Sequence, residues 1–171
     1  MVHYTQSNNV ENFNMATKTN AQRILESAGI AIEAFEYDCS DGMIDAVSVA
    51  RKIGKEPERT FKTLVTENPA HQYFVFVIPS VNELDLKKAA KAAGEKSVEM
   101  IPSKDLLGLT GYIHGGCSPF GMKKLFPTFL DETAQLFETI CVSSGCVGEN
   151  VSLSPEDIIA VAPAVYAELI R

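Results

Sequence analysis

Tyr73-Phe74-Val75-Phe76-Val77-Ile78, an unbroken apolar run, constrains this chain more than any other feature. Aromatic and β-branched side chains suit a pleated strand better than a helix. With no polar residue on either face, such a strand must be covered on both sides, so it belongs inside a sheet with layers above and below. Pro79 offers no amide proton and stops it. Immediately upstream, Thr60 to Thr66 (TFKTLVT) sets Phe61, Leu64 and Val65 among polar residues and reads as a second strand.

Helices and strands alternate around this pair. Thr17 or Thr19 caps a helix running to Ala28, with Gly29 ending it. Ile30 to Tyr37 reads as a half-buried strand, and Ile44 to Ile53 as a helix closed by Gly54. Asn82 or Asp85 caps a helix to Ala93, ended by Gly94; Val98 to Ile101 reads as a short strand and Ser103 as the cap of a brief helix. Phe137–Val142 and Val147–Leu153 read as late strands. Ser154-Pro155-Glu156-Asp157 has the cap, the proline and the acids of a helix start, and that helix is expected to bend or restart at Pro163 and to end at Arg171. Adjacent β runs occur twice, which argues against strict βαβ alternation. The expected fold is α/β: one domain with a mixed, curved, partly barrel-like β-sheet flanked by helices.

The 171 residues suffice for one core, with 46% hydrophobic and 22% charged residues, both ordinary for a globular domain. Residues 1–16 are polar, Asn-rich and aperiodic; they read as a disordered leader before a domain at 17–171, with Met15 an alternative start. No run approaches the roughly 20 apolar residues of a membrane span, and no signal peptide opens the chain. A cytoplasmic, non-membrane protein is the expectation. Cys39, Cys117, Cys141, Cys146 and the three histidines lack metal-binding spacing, so no metal and no cofactor are expected. The formal charge of −7 argues against an extensive grip on nucleic-acid phosphates. Local basic clusters (Arg51, Lys52, Lys55, Arg59 and Lys62; Lys87, Lys88 and Lys91; Lys123 and Lys124) soften that objection or are solvated faces.

Two features carry chemistry. Lys62 interrupts an apolar strand, on the face opposite Phe61. It either faces solvent or lines a pocket as a fixed positive charge for a phosphate or carbonyl oxygen. The segment Gly115-Gly116-Cys117-Ser118-Pro119-Phe120-Gly121 brings backbone close to a ligand and leaves N–H groups of Gly115 and Gly116 to face an anion or ester carbonyl, unless it is a plain connection. It matches neither a P-loop nor a dinucleotide-binding turn. Cys117, with His114 nearby, is better read as a wall of the site than as a nucleophile.

FKTLV around Lys62, LDLKKAAKAAG (84–94), VEM (98–100), TGYIHGGCSPFG (110–121) and ETICVSSG (138–145) occur in order. Together they resemble the YbaK/EbsC family of Cys-tRNA(Pro) deacylases, related to the editing domain of bacterial prolyl-tRNA synthetases, from about Thr19 onward. The resemblance implies hydrolysis of the ester joining an amino acid to the tRNA 3′ end. It places the family's lysine on Lys62 and its glycine loop on Gly115, Gly116, Ser118 and Pro119. Lys62, Gly115 and Gly116 are the implied catalytic groups; Tyr37, Cys117, Ser118, Pro119 and Asn150 are the implied substrate contacts. A family aromatic position near Met43–Asp45 is non-aromatic here, and a late acidic position falls near Asn150. Mischarged tRNA is the implied substrate, with prolyl-tRNA synthetase a partner the likeness suggests and the oligomeric state left open. A deacylase of another mischarged species such as Ala-tRNA(Pro), and a non-catalytic binder of a nucleotide or tRNA end, are the alternatives.

Overall fold

A computed structural model describes residues 2–4 and 18–171. The expected leader lies outside the described residues, apart from a short strand β1 (Val2–Tyr4) paired in parallel with β2. Along the chain follow α1 (Asn20–Ser27), β2 (Ile32–Glu36), α2 (Ala46–Lys52), β3 (Phe61–Glu67) and β4 (Tyr73–Pro79). Then come α3 (Leu86–Ala93), β5 (Glu99–Met100), α4 (Ser103–Thr110), β6 (Thr128–Asp131), β7 (Ile140–Ser143), β8 (Glu149–Leu153), α5 (Pro155–Val161) and β9 (Ala164–Ala167).

The caps show why the helices sit where they do. Thr19 accepts from the Gln22 N–H while the Gln22 side chain accepts from the Thr19 N–H, a capping box that satisfies two orphan groups. Asp45 caps α2 and Asp85 caps α3, whose end is turned by Gly94 at φ 72°. Ser154 caps α5, with Pro155 next, as the sequence indicates. Ser103, expected as a cap, is instead the first residue of α4, and Pro102 precedes it.

β4 is central, as its composition demands: β3 pairs with it antiparallel and β6 pairs with it in parallel. Phe74, Phe76 and Ile78 pack against Ala89 and Ala90 of α3, while Val77 joins the core under the other sheet with Ile140, Val142 and Val151. The β-structure is mixed and flanked by helices, as the sequence leads one to expect. Two sheets form, in the orders β5-β3-β4-β6-β9 and β1-β2-β8-β7, joined by a single parallel bridge between Thr60 and Cys141. No barrel closes among the described residues.

The C-terminus is a correction. The chain leaves helix at Val161 and continues past Pro163 as β9, in parallel register with β6. Tertiary pairing overrides local helical preference there, since Leu130 and Ala164 are buried only if the edge of β6 is covered. The buried Asp131 carboxylate pins this end by accepting the Leu169 N–H at 3.0 Å.

Candidate active site

The seam between the two sheets is where the chain opens. Beyond the Thr60–Cys141 bridge, Lys62 on β3 comes level with Ser143 on β7, which is paired with Asn150 on β8. All three residues line a cavity of about 320 Å³ that also takes in Tyr37, Gly115 and Cys117. Asp45, the cap of α2, Val47 of α2, Leu106 of α4 and His114 complete much of its wall.

The question the strand pattern leaves open at Lys62 has an answer in the fold: its side chain is half-buried on the cavity wall. The ammonium donates to the Ser80 carbonyl at 3.4 Å, a long contact that leaves donors for a ligand. Burial holds its pKa below the usual lysine value, with the Glu83 charge acting in the opposite direction. Among other basic residues, several are engaged within the protein. Lys52 bonds Asp41 at 2.8 Å, Lys88 bonds Glu168 at 2.7 Å and Arg59 donates to the Thr139 carbonyl.

The glycine loop contributes backbone. Gly115 has φ 84°, a left-handed conformation that a side chain resists. A Cβ on Gly116 would lie 2.9 Å from the Val147 nitrogen and 3.0 Å from the Cys146 carbonyl carbon. The loop therefore packs backbone to backbone against the turn between β7 and β8. Gly116 donates its N–H to the Ile113 carbonyl at 3.0 Å, which removes it as a free oxyanion donor. The N–H groups of Gly115 and Cys117 donate to no protein acceptor among the described residues. Tyr112 anchors the loop by donating its hydroxyl to the Phe120 carbonyl.

Of the sequence-predicted residues, Tyr37, Lys62, Gly115, Cys117 and Asn150 meet at the cavity. Gly116, Ser118 and Pro119 are buried behind that wall. There Ser118 accepts the Phe120 N–H at 3.2 Å, which shapes the loop from behind. Burial pushes the Cys117 thiol up to about 12, so it is protonated at neutral pH. Burial also raises the Tyr37 phenol. Sequence reasoning missed Ser143 and Asp45. Asp45 carried a cap signal, and its carboxyl lies below the usual range because the Ser48 hydroxyl and N–H both donate to it. Among the described residues, no group of three His, Cys, Asp or Glu is placed to hold a metal ion.

Comparison with known proteins bears on the same segments. The sequence pattern of the aminoacyl-tRNA editing domain matches residues 42–161, which include every cavity residue named above except Tyr37. A protein of Enterococcus faecalis named as a candidate Cys-tRNA(Pro)/Cys-tRNA(Cys) deacylase, EbsC, is 48% identical over 152 residues, covering 89% of this chain and 93% of that protein. A solved structure described as a candidate trans-editing enzyme for prolyl-tRNA synthetase superposes with a TM-score of 0.79 at 24% identity, covering 89% of this chain and 95% of the other. A hypothetical protein of known structure gives 0.81 at 18% identity, covering 89% and 99%. These two likenesses speak to the fold.

Proposed function

Because this chain belongs to the aminoacyl-tRNA editing domain family, we propose that it is a trans-editing deacylase that hydrolyses the aminoacyl ester of mischarged tRNA, with Cys-tRNA(Pro) its leading substrate. The observation that carries this reading is the pairing, in one cavity, of a half-buried lysine with a loop offering undonated backbone N–H groups.

An aminoacyl ester is already activated, so the site has to orient it, admit a nucleophile and stabilise a tetrahedral oxyanion. The Gly115 and Cys117 N–H groups are the donors for that oxyanion. Lys62 holds the negatively charged terminal-nucleotide end, where an ammonium acts as a point charge. Two lining groups, Asp45 and His114, have the chemistry of a base. Asp45 has both carboxylate oxygens engaged by Ser48, and His114 is exposed at the mouth. The Cys117 thiol is un-ionised. Activation of the attacking group therefore falls to the substrate, through its ribose hydroxyl or, for a cysteinyl ester, its own thiol. The ester C–O bond breaks, the tRNA 3′ oxygen leaves with a proton, and water supplies the hydroxyl of the released amino acid.

With a charge of −7, the chain contacts few phosphates, so a synthetase such as prolyl-tRNA synthetase supplies further tRNA affinity in the cytoplasm. The test is a deacylation assay on Cys-, Ala- and Pro-tRNA(Pro), with and without that synthetase. Release of cysteine well above the spontaneous rate is expected. Intact esters in every arm, with the tRNA bound, would favour a binding module instead.

A further inference from the structure

Asp38–Ile44, the loop between β2 and α2, belongs to no helix or strand, yet its last residue lines the cavity. Its own hydrogen bonds are local. The Ser40 and Met43 N–H groups donate to the Asp38 and Asp41 carboxylates, each at 2.9 Å, and Gly42 and Ile44 donate to carbonyls inside the loop. What ties the loop to α2 is Lys52, in the last turn of that helix. The Lys52 ammonium donates to the Asp38 carbonyl at 2.7 Å, the Asp41 carboxylate at 2.8 Å and the Met43 carbonyl at 3.0 Å. An ammonium has three protons, and here each has its own acceptor between Asp38 and Met43. Lys52 is therefore neither a solvated charge nor a cation free for a phosphate, the two readings open to its basic cluster. A lone exposed ion pair stabilises little, but three acceptors converging on one lysine fix the shape of a loop.

This clamp reaches the glycine loop through Ile44, the residue after the Met43 carbonyl that Lys52 holds. A Cβ on Gly115 would lie 2.8 Å from the Ile44 Cδ1, so the Ile44 side chain packs directly on the Gly115 backbone. The Gly115 N–H is one of the two donors assigned to the oxyanion, and such donors act only when they are held in place beforehand. We propose that Lys52 is a positioning residue for deacylation: without touching the substrate, it holds Asp38–Ile44 so that Ile44 braces Gly115 and keeps its N–H aimed into the cavity. The task needs a lysine. An arginine carries the same charge, but its donors lie in one plane and cannot converge on three acceptors around a single nitrogen. This assignment rests on the deacylase reading and adds a residue on which the geometry of that site depends.

The experiment is steady-state deacylation of Cys-tRNA(Pro) by the full chain as wild type, Lys52→Met and Lys52→Arg, with thermal melting of each. A displaced oxyanion donor harms the transition state more than the bound substrate. In both variants kcat should therefore fall about 10- to 100-fold while KM stays within about twofold. Failure of arginine to rescue is the mark of the clamp. A phosphate contact would survive in Lys52→Arg, and in Lys52→Met its loss would raise KM and flatten the salt dependence. Full kcat in Lys52→Met, with or without a lower melting temperature, overturns the proposal, as does full rescue by Lys52→Arg or a loss confined to KM. If either lysine variant does not fold, Asp41→Ala, which removes one of the three acceptors, decides. A kcat lowered about threefold at unchanged KM then supports the clamp, and an unchanged kcat overturns it. An active wild type with unaffected variants removes only the role of Lys52 and leaves the deacylase reading intact. A wild type that releases no cysteine from Cys-tRNA(Pro) overturns both.

Discussion

Lys62 and Gly115 face the same cavity, yet what holds each in place differs in kind. Lys62 sits within β3, where ladder bonds to β4 run from Phe61–Pro79 to Glu67–Tyr73 and fix its backbone. Gly115 sits in a segment with no ladder, held by the Tyr112 hydroxyl on the Phe120 carbonyl and by the tight stacking of Gly116 on Cys146 and Val147. The strand wall offers side chains on a rigid frame; the loop wall offers backbone whose position depends on missing side chains. Substitutions on the first wall should therefore remove a chemical group and spare the geometry, and those on the second should do the reverse.

The largest effect is expected from Gly116→Ala. The new Cβ would meet backbone at 2.9 Å, and backbone gives way only by moving the loop or the β7–β8 turn. Shifts of this order cost about 100-fold in rate, so kcat/KM should fall by at least that much. Overpacking of this kind costs about 1–3 kcal/mol, seen as a lower melting temperature. Wild-type activity and melting in this variant would erase the distinction between the walls.

Lys62→Ala should show the opposite signature. Loss of a charge-assisted contact of about 1.5–3 kcal/mol lowers kcat/KM roughly 10- to 100-fold, while the fold is retained. The direction of the stability change follows from its pKa. The folded-state value lies below the unfolded one, so the buried charge costs stability at neutral pH, and that cost fades as pH rises through the lowered value. Lys62→Met should accordingly melt no lower than wild type at pH 7. A clear fall in its melting temperature would mean that Lys62 is structural.

How much of this could be read beforehand divides along the same line. The β4 run announces a strand buried on both faces, and the capping residues Thr19, Asp85 and Ser154 mark their helices, because these signals are local. The loop was legible by composition, since three glycines in seven residues are unusual wherever they fall. What the loop does was not: Gly116 looked like an oxyanion donor until the Ile113 carbonyl was seen to occupy its N–H. Ser143 becomes a neighbour of Lys62 only through the Thr60–Cys141 bridge, a contact between segments some 80 residues apart in sequence. β6 and β9 escaped for the same reason. Thr128–Asp131 and Ala164–Ala167 are short and carry weak patterns of their own; β6 is a strand because β4 and β9 flank it, and β9 because β6 lies beside it.

The same burial sharpens a prediction about pH. Because burial lowers the Lys62 pKa, its charge is lost at a pH below the usual lysine range. Binding of a hydrolysis-resistant substrate analogue, a cysteinyl ribose-3′-amide of adenosine 5′-phosphate, should weaken as pH rises through that value. In Lys62→Arg the guanidinium stays charged, so the alkaline fall should vanish even if overall affinity is lower. An identical alkaline fall in both proteins would assign it to another group.

The smallest effect is expected at Cys117, the residue on the loop wall whose side chain most invites a catalytic role. With its thiol pushed up to about 12 by burial, Cys117 stays protonated at pH 7 and is not a working nucleophile. The side chain packs with Val65, Val75 and Tyr112, where it serves as a small apolar residue. Cys117→Ala removes one buried atom from that cluster, at a cost of about 1 kcal/mol in stability. Deacylation of Cys-tRNA(Pro) should stay within about threefold of wild type, because the Cys117 contribution lies in its N–H, which alanine keeps. A 100-fold loss with melting unchanged would mean that the loop supplies a nucleophile after all; retained activity would confirm that this wall acts through its backbone and that the thiol in the chemistry, where there is one, arrives with the substrate.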